Sequence, residues 1–216
     1  MIAHPVDASS SAIYDDREGD LARWTEIVSL DPFEYVTLAP IPADSAIGKV
    51  GYCDILEASL ALVGDSYVFG MRVAGDMPSE GIIPGVNYVL WSFCPQFDPA
   101  GSGWDFWNGG DVALIWDGTS YRAVFWDTRT YPTSGEILET PVDFTESGQM
   151  LTITVPKELF GVDPYYWFFR VVVLGGQHDF YTFKGGPYIE VDMTDPVHAT
   201  TPYPGYYYPW LPWPTA

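Results

Sequence analysis

A chain of 216 residues, 47% of them apolar, can bury on the order of 70% of the surface its unfolded form exposes, so one main domain is expected. Against 29 Asp and Glu stand only 9 Lys and Arg, and the formal charge of -20 repels nucleic acid and anionic membrane surfaces, which excludes polyanion binding. No stretch has the length and apolarity of a membrane-spanning helix, so no membrane insertion is expected.

The chain opens without the basic start and long apolar run of a signal peptide, so either a mature secreted form begins near here or the protein is intracellular. Residues 1–14, rich in Ser and Ala, read as a flexible N-terminal arm. An acidic knot follows, Asp15-Asp16-Arg17-Glu18-Gly19-Asp20, in which Gly19 supplies a tight bend that lets carboxylates converge. Residues 21–48 carry only weak periodicity, and 24–30 fit a strand or a helical turn equally.

Residues 54–75 give a clear signal. Leu56, Ala58, Leu60 and Leu62 share one parity, Tyr67, Phe69, Met71 and Val73 share another, and Gly64-Asp65 between them marks a hairpin. A Pro/Gly loop at 76–85 leads to a strand at 86–93, and then a long aperiodic loop spans 94–110. Loops of that kind inside a compact domain are more often functional than structural. A second hairpin runs through 112–116 and 121–126 with Asp117-Gly118 at its turn. A polar loop covers 128–141, and a third hairpin joins 142–144 to 150–155 around Ser147-Gly148.

Residues 156–160 form a helical turn stopped by Gly161. Residues 165–174 are apolar on both parities, as in a central strand covered on both faces. A closing strand is expected at 188–193. From Val197 the composition changes to five prolines and six aromatics, an extended tail or linker over 197–216. Short strands at this spacing with very little helix predict an all-β fold, a two-sheet antiparallel sandwich of immunoglobulin or jelly-roll type over residues 15–196.

The order of motifs resembles the carbohydrate-binding modules of family 9 and DOMON-like type, including the module at the C-terminus of glucodextranases. The residues that carry the resemblance are Asp16-Arg17-Glu18-Gly19-Asp20, Asp54-Ile55, Gly64-Asp65-Ser66-Tyr67-Val68-Phe69, Trp116-Asp117-Gly118, and Val155-Pro156 followed by Gly161. It covers roughly residues 15–195. The insert between Asp20 and Asp54 and the aromatic tail depart from the family pattern. The resemblance implies a non-catalytic sandwich that binds a glycan or polysaccharide and holds structural calcium.

Calcium takes several hard oxygen ligands, which a turn of carboxylates supplies. Asp16, Asp20 and Asp54 are the candidates, with Asp15, Glu18 and Asp192 as completions; a solvated acidic turn is the plainer alternative. Trp104, Asp105, Trp107 and Asn108 have the residue mix of a sugar site, with flat aromatic faces for a pyranose ring and side chains that share hydrogen bonds with hydroxyls. The same tryptophans would also serve to cover the edge of the core. Trp116 and Trp126 read as structural, with either one available to floor a binding face.

Met71 and His178 raise haem ligation, because cytochrome members of the DOMON group use axial Met and His, but Met71 shares the parity of a core residue. His4, His178 and His198 are too scattered for zinc. No nucleophile elbow, HExxH, phosphate loop or paired cysteine motif is present, and no pair of carboxylates stands out for glycoside hydrolysis, so an enzyme is not expected. Cys53 and Cys94 read as two buried thiols, with a disulfide open to them if their strands pair. The reading is therefore an extracellular or cell-surface carbohydrate-binding, adhesive module. Its competitor is a structural subunit of a surface layer or filament, self-associating through the arm or through residues 197–216 by strand addition.

Overall fold

The computed structural model describes residues 11–15, 18–19, 21–30, 33–96, 110–127, 129, 137–161, 166–175, 188–193 and 197–198. They form a two-sheet antiparallel β-sandwich. The first sheet has the order β1-β4-β5-β11-β10, with β1 (Ser11–Asp15), β4 (Ile55–Val63), β5 (Ser66–Val73), β11 (Met150–Pro156) and β10 (Asp143–Ser147). In the second the order is β13-β12-β6-β7-β8-β9, with β13 (Tyr188–Met193), β12 (Tyr166–Gly175), β6 (Val86–Gln96), β7 (Gly110–Trp116), β8 (Tyr121–Asp127) and β9 (Leu138–Pro141); β14 (Val197–His198) also pairs with β12. A separate ribbon of β2 (Ala22–Leu30) and β3 (Phe33–Pro40) lies with β2 beside β13.

Alternation builds the core. Ala58 and Leu60, Tyr67, Phe69, Met71 and Val73, and Leu151, Ile153 and Val155 point inward from the first sheet. Val89, Trp91 and Phe93, Val112, Leu114 and Trp116, Phe125, and Phe169, Val171 and Val173 meet them from the second. Full burial of side chains of this size contributes about 1.5–3 kcal/mol each. A β-bulge between Ile55 and Glu57 turns Ile55 inward as well, so Leu56 leaves the parity expected for it. At the centre Phe160, from the short helix α1 (Lys157–Phe160), meets Tyr67, Phe69 and Phe125 at ring-centroid distances of 5.2, 6.2 and 5.0 Å. Gly161 ends that helix with φ 72° in the left-handed region, as the sequence predicts.

Three sequence expectations are changed. Ser11–Tyr14, expected within the arm, form with Asp15 of the acidic knot the edge strand β1, paired from Ser11↔Ala61 to Asp15↔Glu57. Residues 138–141, expected in a loop, are the edge strand β9. Val197–His198, at the start of the expected tail, pair with Trp167 and Tyr166. Each is short and lacks apolar alternation, so backbone pairing to a neighbour decides its state.

Register assigns each connection to an end of the sandwich. Gln96 pairs with Tyr166, Gly110 with Asp127, Leu138 with Asp127 and His198 with Tyr166. One end of the sandwich therefore holds Gln96, Gly110, Asp127, Leu138, Tyr166 and His198. The Gly64-Asp65 turn joins it, since Pro156 pairs with Ser66 and the Lys157 N–H donates to the Asp65 carbonyl at 2.9 Å. The opposite end holds Asp54, Gly75, the loop leading into β6 and the Asp117-Gly118 turn.

Candidate functional site

Asp54 caps a single 3-10 turn, Gly51–Cys53, that delivers the chain into β4. Its backbone is fixed on both sides: its N–H donates to the Gly51 carbonyl at 3.2 Å and its carbonyl accepts from the Ala74 N–H at 2.9 Å. Gly51 and Gly75 pack backbone to backbone here; a Cβ on Gly51 would lie 2.6 Å from the Gly75 nitrogen. The side chain is 6% exposed, and its Oδ2 accepts a hydrogen bond from the Gly19 N–H at 2.9 Å. Gly19 has φ 84°, the conformation that lets the acidic turn present this N–H.

Asp54 is thus held against the turn in which the sequence places Asp16, Glu18 and Asp20. Glu18 and Asp15 are exposed. Asp16 and Asp20 lie outside the described residues, as does the side chain of Asp192. Among the described residues, no three Asp, Glu, His or Cys side chains form a metal-sized group. In kind, a buried carboxylate beside an acidic turn fits calcium, because taking a carboxylate out of water is costly unless a cation or several donors compensate it.

Trp104, Asp105, Trp107 and Asn108 lie outside the described residues. What is described is their mounting: β6 ends at Gln96 and β7 begins at Gly110, and both strands are interior to the second sheet. Three strand tryptophans whose side chains are described are committed elsewhere. Trp91 and Trp116 are buried in the core, where their Nε1–H groups donate to the carbonyls of Tyr52 and Gly81, each at 2.7 Å. Trp126 is 1% exposed on the other face of its sheet, among Leu90, Ala113, Ile115 and Val124. Its Nε1–H donates to Glu139 Oε2 at 2.8 Å, while Glu139 Oε1 accepts from Arg122 at 2.9 Å. Neither Trp116 nor Trp126 offers a ring face to solvent.

Two further groups escaped the sequence reading. Ser92 and Asp111, both 1% exposed, stand on β6 and β7 near the ends that carry residues 97–109, and the Ser92 hydroxyl donates to Asp111 Oδ1. A buried polar pair on strands otherwise paved with apolar residues has no signature in periodicity. Arg129 was the other omission. Its guanidinium donates to both Asp127 oxygens and to the carbonyls of Leu159 and Phe160, tying the end of β8 to α1. Burial raises the Asp127 carboxyl, but the Arg129 hydrogen bonds and charge outweigh it and hold that group below the usual carboxylate range. The same bond raises Arg129. Only an Asp-x-Arg spacing hinted at this; the carbonyls it reaches are some 30 residues away.

At the opposite end, Tyr121 packs on Trp116 at 4.5 Å between ring centroids, and its hydroxyl donates to the Pro78 carbonyl. Burial, with Cys53 nearby, pushes Tyr52 up to about 12, and burial with Glu146 and Tyr52 near it raises Tyr121 further. Asp117 makes its own turn: the Ser120 and Thr119 N–H groups bond its carboxylate and lower its pKa. Met71 lies fully buried in the core, in register with Ala58 and Leu151, as expected of a packing methionine. His178 and His4 lie outside the described residues. Cys53 is a buried thiol, and the Cys94 side chain is not among those described.

No family model, no curated protein and no solved structure matches this chain.

Proposed function

We propose that this chain is a non-catalytic carbohydrate-binding module of the family 9 and DOMON-like type, working outside the cell and stiffened by calcium. The observation that supports it is the division of the sandwich into two ends. At one, the Gly19 N–H holds the buried Asp54 carboxylate against the acidic turn. At the other, two interior strands carry the loop whose sequence contains Trp104, Asp105, Trp107 and Asn108. The nine residues of β4 separate the ends by about 30 Å at ~3.3 Å per residue.

At that distance calcium bound by Asp16, Asp20 and Asp54 acts on folding and does not bridge to the sugar. The sugar is held by stacking on Trp104 and Trp107, with Asp105 and Asn108 sharing hydrogen bonds with its hydroxyls. Burial of Trp91, Trp116 and Trp126 favours this loop over the strand faces as the platform. Part of the arm, Ser11–Tyr14, is already paired within its own sheet, which favours the module over a subunit assembled through that arm.

Retention on polysaccharide affinity gels tests the reading. Retention that disappears in Trp104→Ala and Trp107→Ala supports it, and a folded protein that runs freely through every gel refutes it. Calcium is tested separately by melting with and without chelator, since a ligand bound only by the folded state must raise the midpoint.

A further inference from the structure

We infer that the outer face of the first sheet docks a second copy of this chain, the two pairing sheet to sheet as a reversible dimer. Alternation sets that face: opposite the inward Tyr67, Phe69 and Met71, strands β4, β5 and β11 present Ser59, Ala61, Val68, Gly70, Thr152 and Thr154. All of these but Gly70 are only half-buried, as on a sheet face open to solvent. The second sheet differs. Its outer residues Leu90, Ala113, Ile115, Val124 and Trp126 are buried in a cluster of their own, so the protein covers one outer face and leaves the other open.

Charge and chemistry choose the occupant. The chain carries a formal charge of -20, yet across β4, β5 and β11 the ionised side chains on this face are Glu57 and Arg72, which pair with each other at 3.6 Å. Asp15 and Asp143 stand at the margins, on β1 and β10. Two anionic copies can therefore meet here without bringing unpaired acids together. No aromatic ring lies on this face of the three strands, so a sugar finds nothing to stack on, while a protein surface finds apolar contact. Val63 and Met150, 61% and 40% exposed, supply part of it. The middle is low, since Gly70 has no side chain and a Cβ there would press on Ser59 Oγ at 2.5 Å. Five strands ~4.8 Å apart and about seven residues long at ~3.3 Å each give a footprint of roughly 24 by 23 Å. Two copies then bury on the order of 1,100 Å² between them, the size of a weak, specific interface. Packing through this face leaves both ends of each sandwich open, so the inference stands apart from the carbohydrate reading.

Sedimentation equilibrium of the full chain from about 1 to 300 µM, at ~50 and ~500 mM salt, measures the dimer. Salt screens the repulsion between like-charged copies, so a dimer through a neutral face should tighten about tenfold over that range, where one held by ion pairs would loosen. Thr152→Glu in the middle of the face and Met150→Glu at its rim should each weaken it about tenfold or more, while melting near the parent. Thr119→Glu adds the same charge at the exposed Asp117-Gly118 turn and should weaken it less than about twofold. Met150 is exposed, so its variant decides the matter if Thr152→Glu folds poorly. A dimer that loosens with salt, or that Met150→Glu and a folded Thr152→Glu leave intact, overturns the inference and assigns association to another surface. A chain that stays monomeric at every concentration and both salts also overturns it, and leaves the face to a partner of another kind.

Discussion

The backbone N–H of Gly19 donates to Oδ2 of Asp54 at 2.9 Å, closing a contact across 35 residues between the acidic turn and the entrance of β4. Because Asp54 is almost wholly buried, this contact ties the exposed backbone of the acidic turn to the entrance of β4. Replacing Asp54 by Ala removes the charge-assisted bond from the Gly19 N–H and should cost about 1–3 kcal/mol in urea denaturation. If calcium is held here, Asp54→Asn, which keeps the shape and loses the charge, should also abolish any difference in melting between calcium and chelator. A variant that still responds to chelator like the parent would place the metal elsewhere.

Arg129 joins Asp127 to the last carbonyls of α1, and through Phe160 to the centre of the core. Arg129→Met should lower stability by about 2–4 kcal/mol at neutral pH, since it leaves a partly buried carboxylate without its charge partner. The pH dependence has a definite sign. Asp127 is held below its unfolded value, so its contribution is present above about pH 4 and is lost as pH falls from there. The variant should therefore lose less stability than the parent between neutral pH and acid, measured as denaturant midpoints.

The tyrosines at the other end act in the alkaline range. Tyr52 is raised to about 12 and Tyr121 is raised further, so both stay protonated in the folded protein beyond the value near 10 typical of an unfolded chain. Their contribution is complete below pH ~10 and declines as pH rises through about 12. Denaturant midpoints should fall over that window, together with late tyrosinate absorbance. Tyr121→Phe should cost about 1 kcal/mol at neutral pH, for the lost bond to the Pro78 carbonyl, and should reduce the alkaline decline.

Gly51 and Gly75 let two backbones touch beside Asp54. Gly51→Ala forces a Cβ against backbone, which cannot rotate away, and should cost about 1–3 kcal/mol as overpacking does. Gly64→Ala, whose Cβ meets nothing within 4 Å but whose φ is 60°, should cost about 1 kcal/mol. Thermal melting of the two variants checks the order.

Much of this fold was legible wherever alternation met a turn pair. Gly64-Asp65 and Asp117-Gly118 each sit between apolar runs and their hairpins form there, while the third hairpin turns at Gly148-Gln149 after the mostly polar β10. Residues 21–48 resisted reading because a bulge between Trp24 and Glu26 breaks the period of two in the very segment where it would be counted. Edge strands such as β9, with Leu138 exposed, bury too little to leave a pattern. On β7 and β8 successive residues are buried on both faces, so parity could not separate core from binding surface, and Trp126 looked available when it is not.

Of the candidate site, the pairing of Asp54 with the acidic turn was expected from the resemblance to the family 9 and DOMON-like modules, and the bond from Gly19 to Asp54 is the part of it that the described residues contain. Ser92, Asp111 and Arg129 were not, because each takes its role from a partner that only the folded register supplies.

Retention of the folded protein on a polysaccharide gel, measured for the parent and for a Trp104→Ala/Trp107→Ala double variant, tests the account most directly. The account predicts that the parent is retarded by at least one polymer and that the double variant, melting at the same temperature, runs as freely as a non-binding control. A parent that passes unretarded through every gel, or a double variant retarded as strongly as the parent, contradicts it.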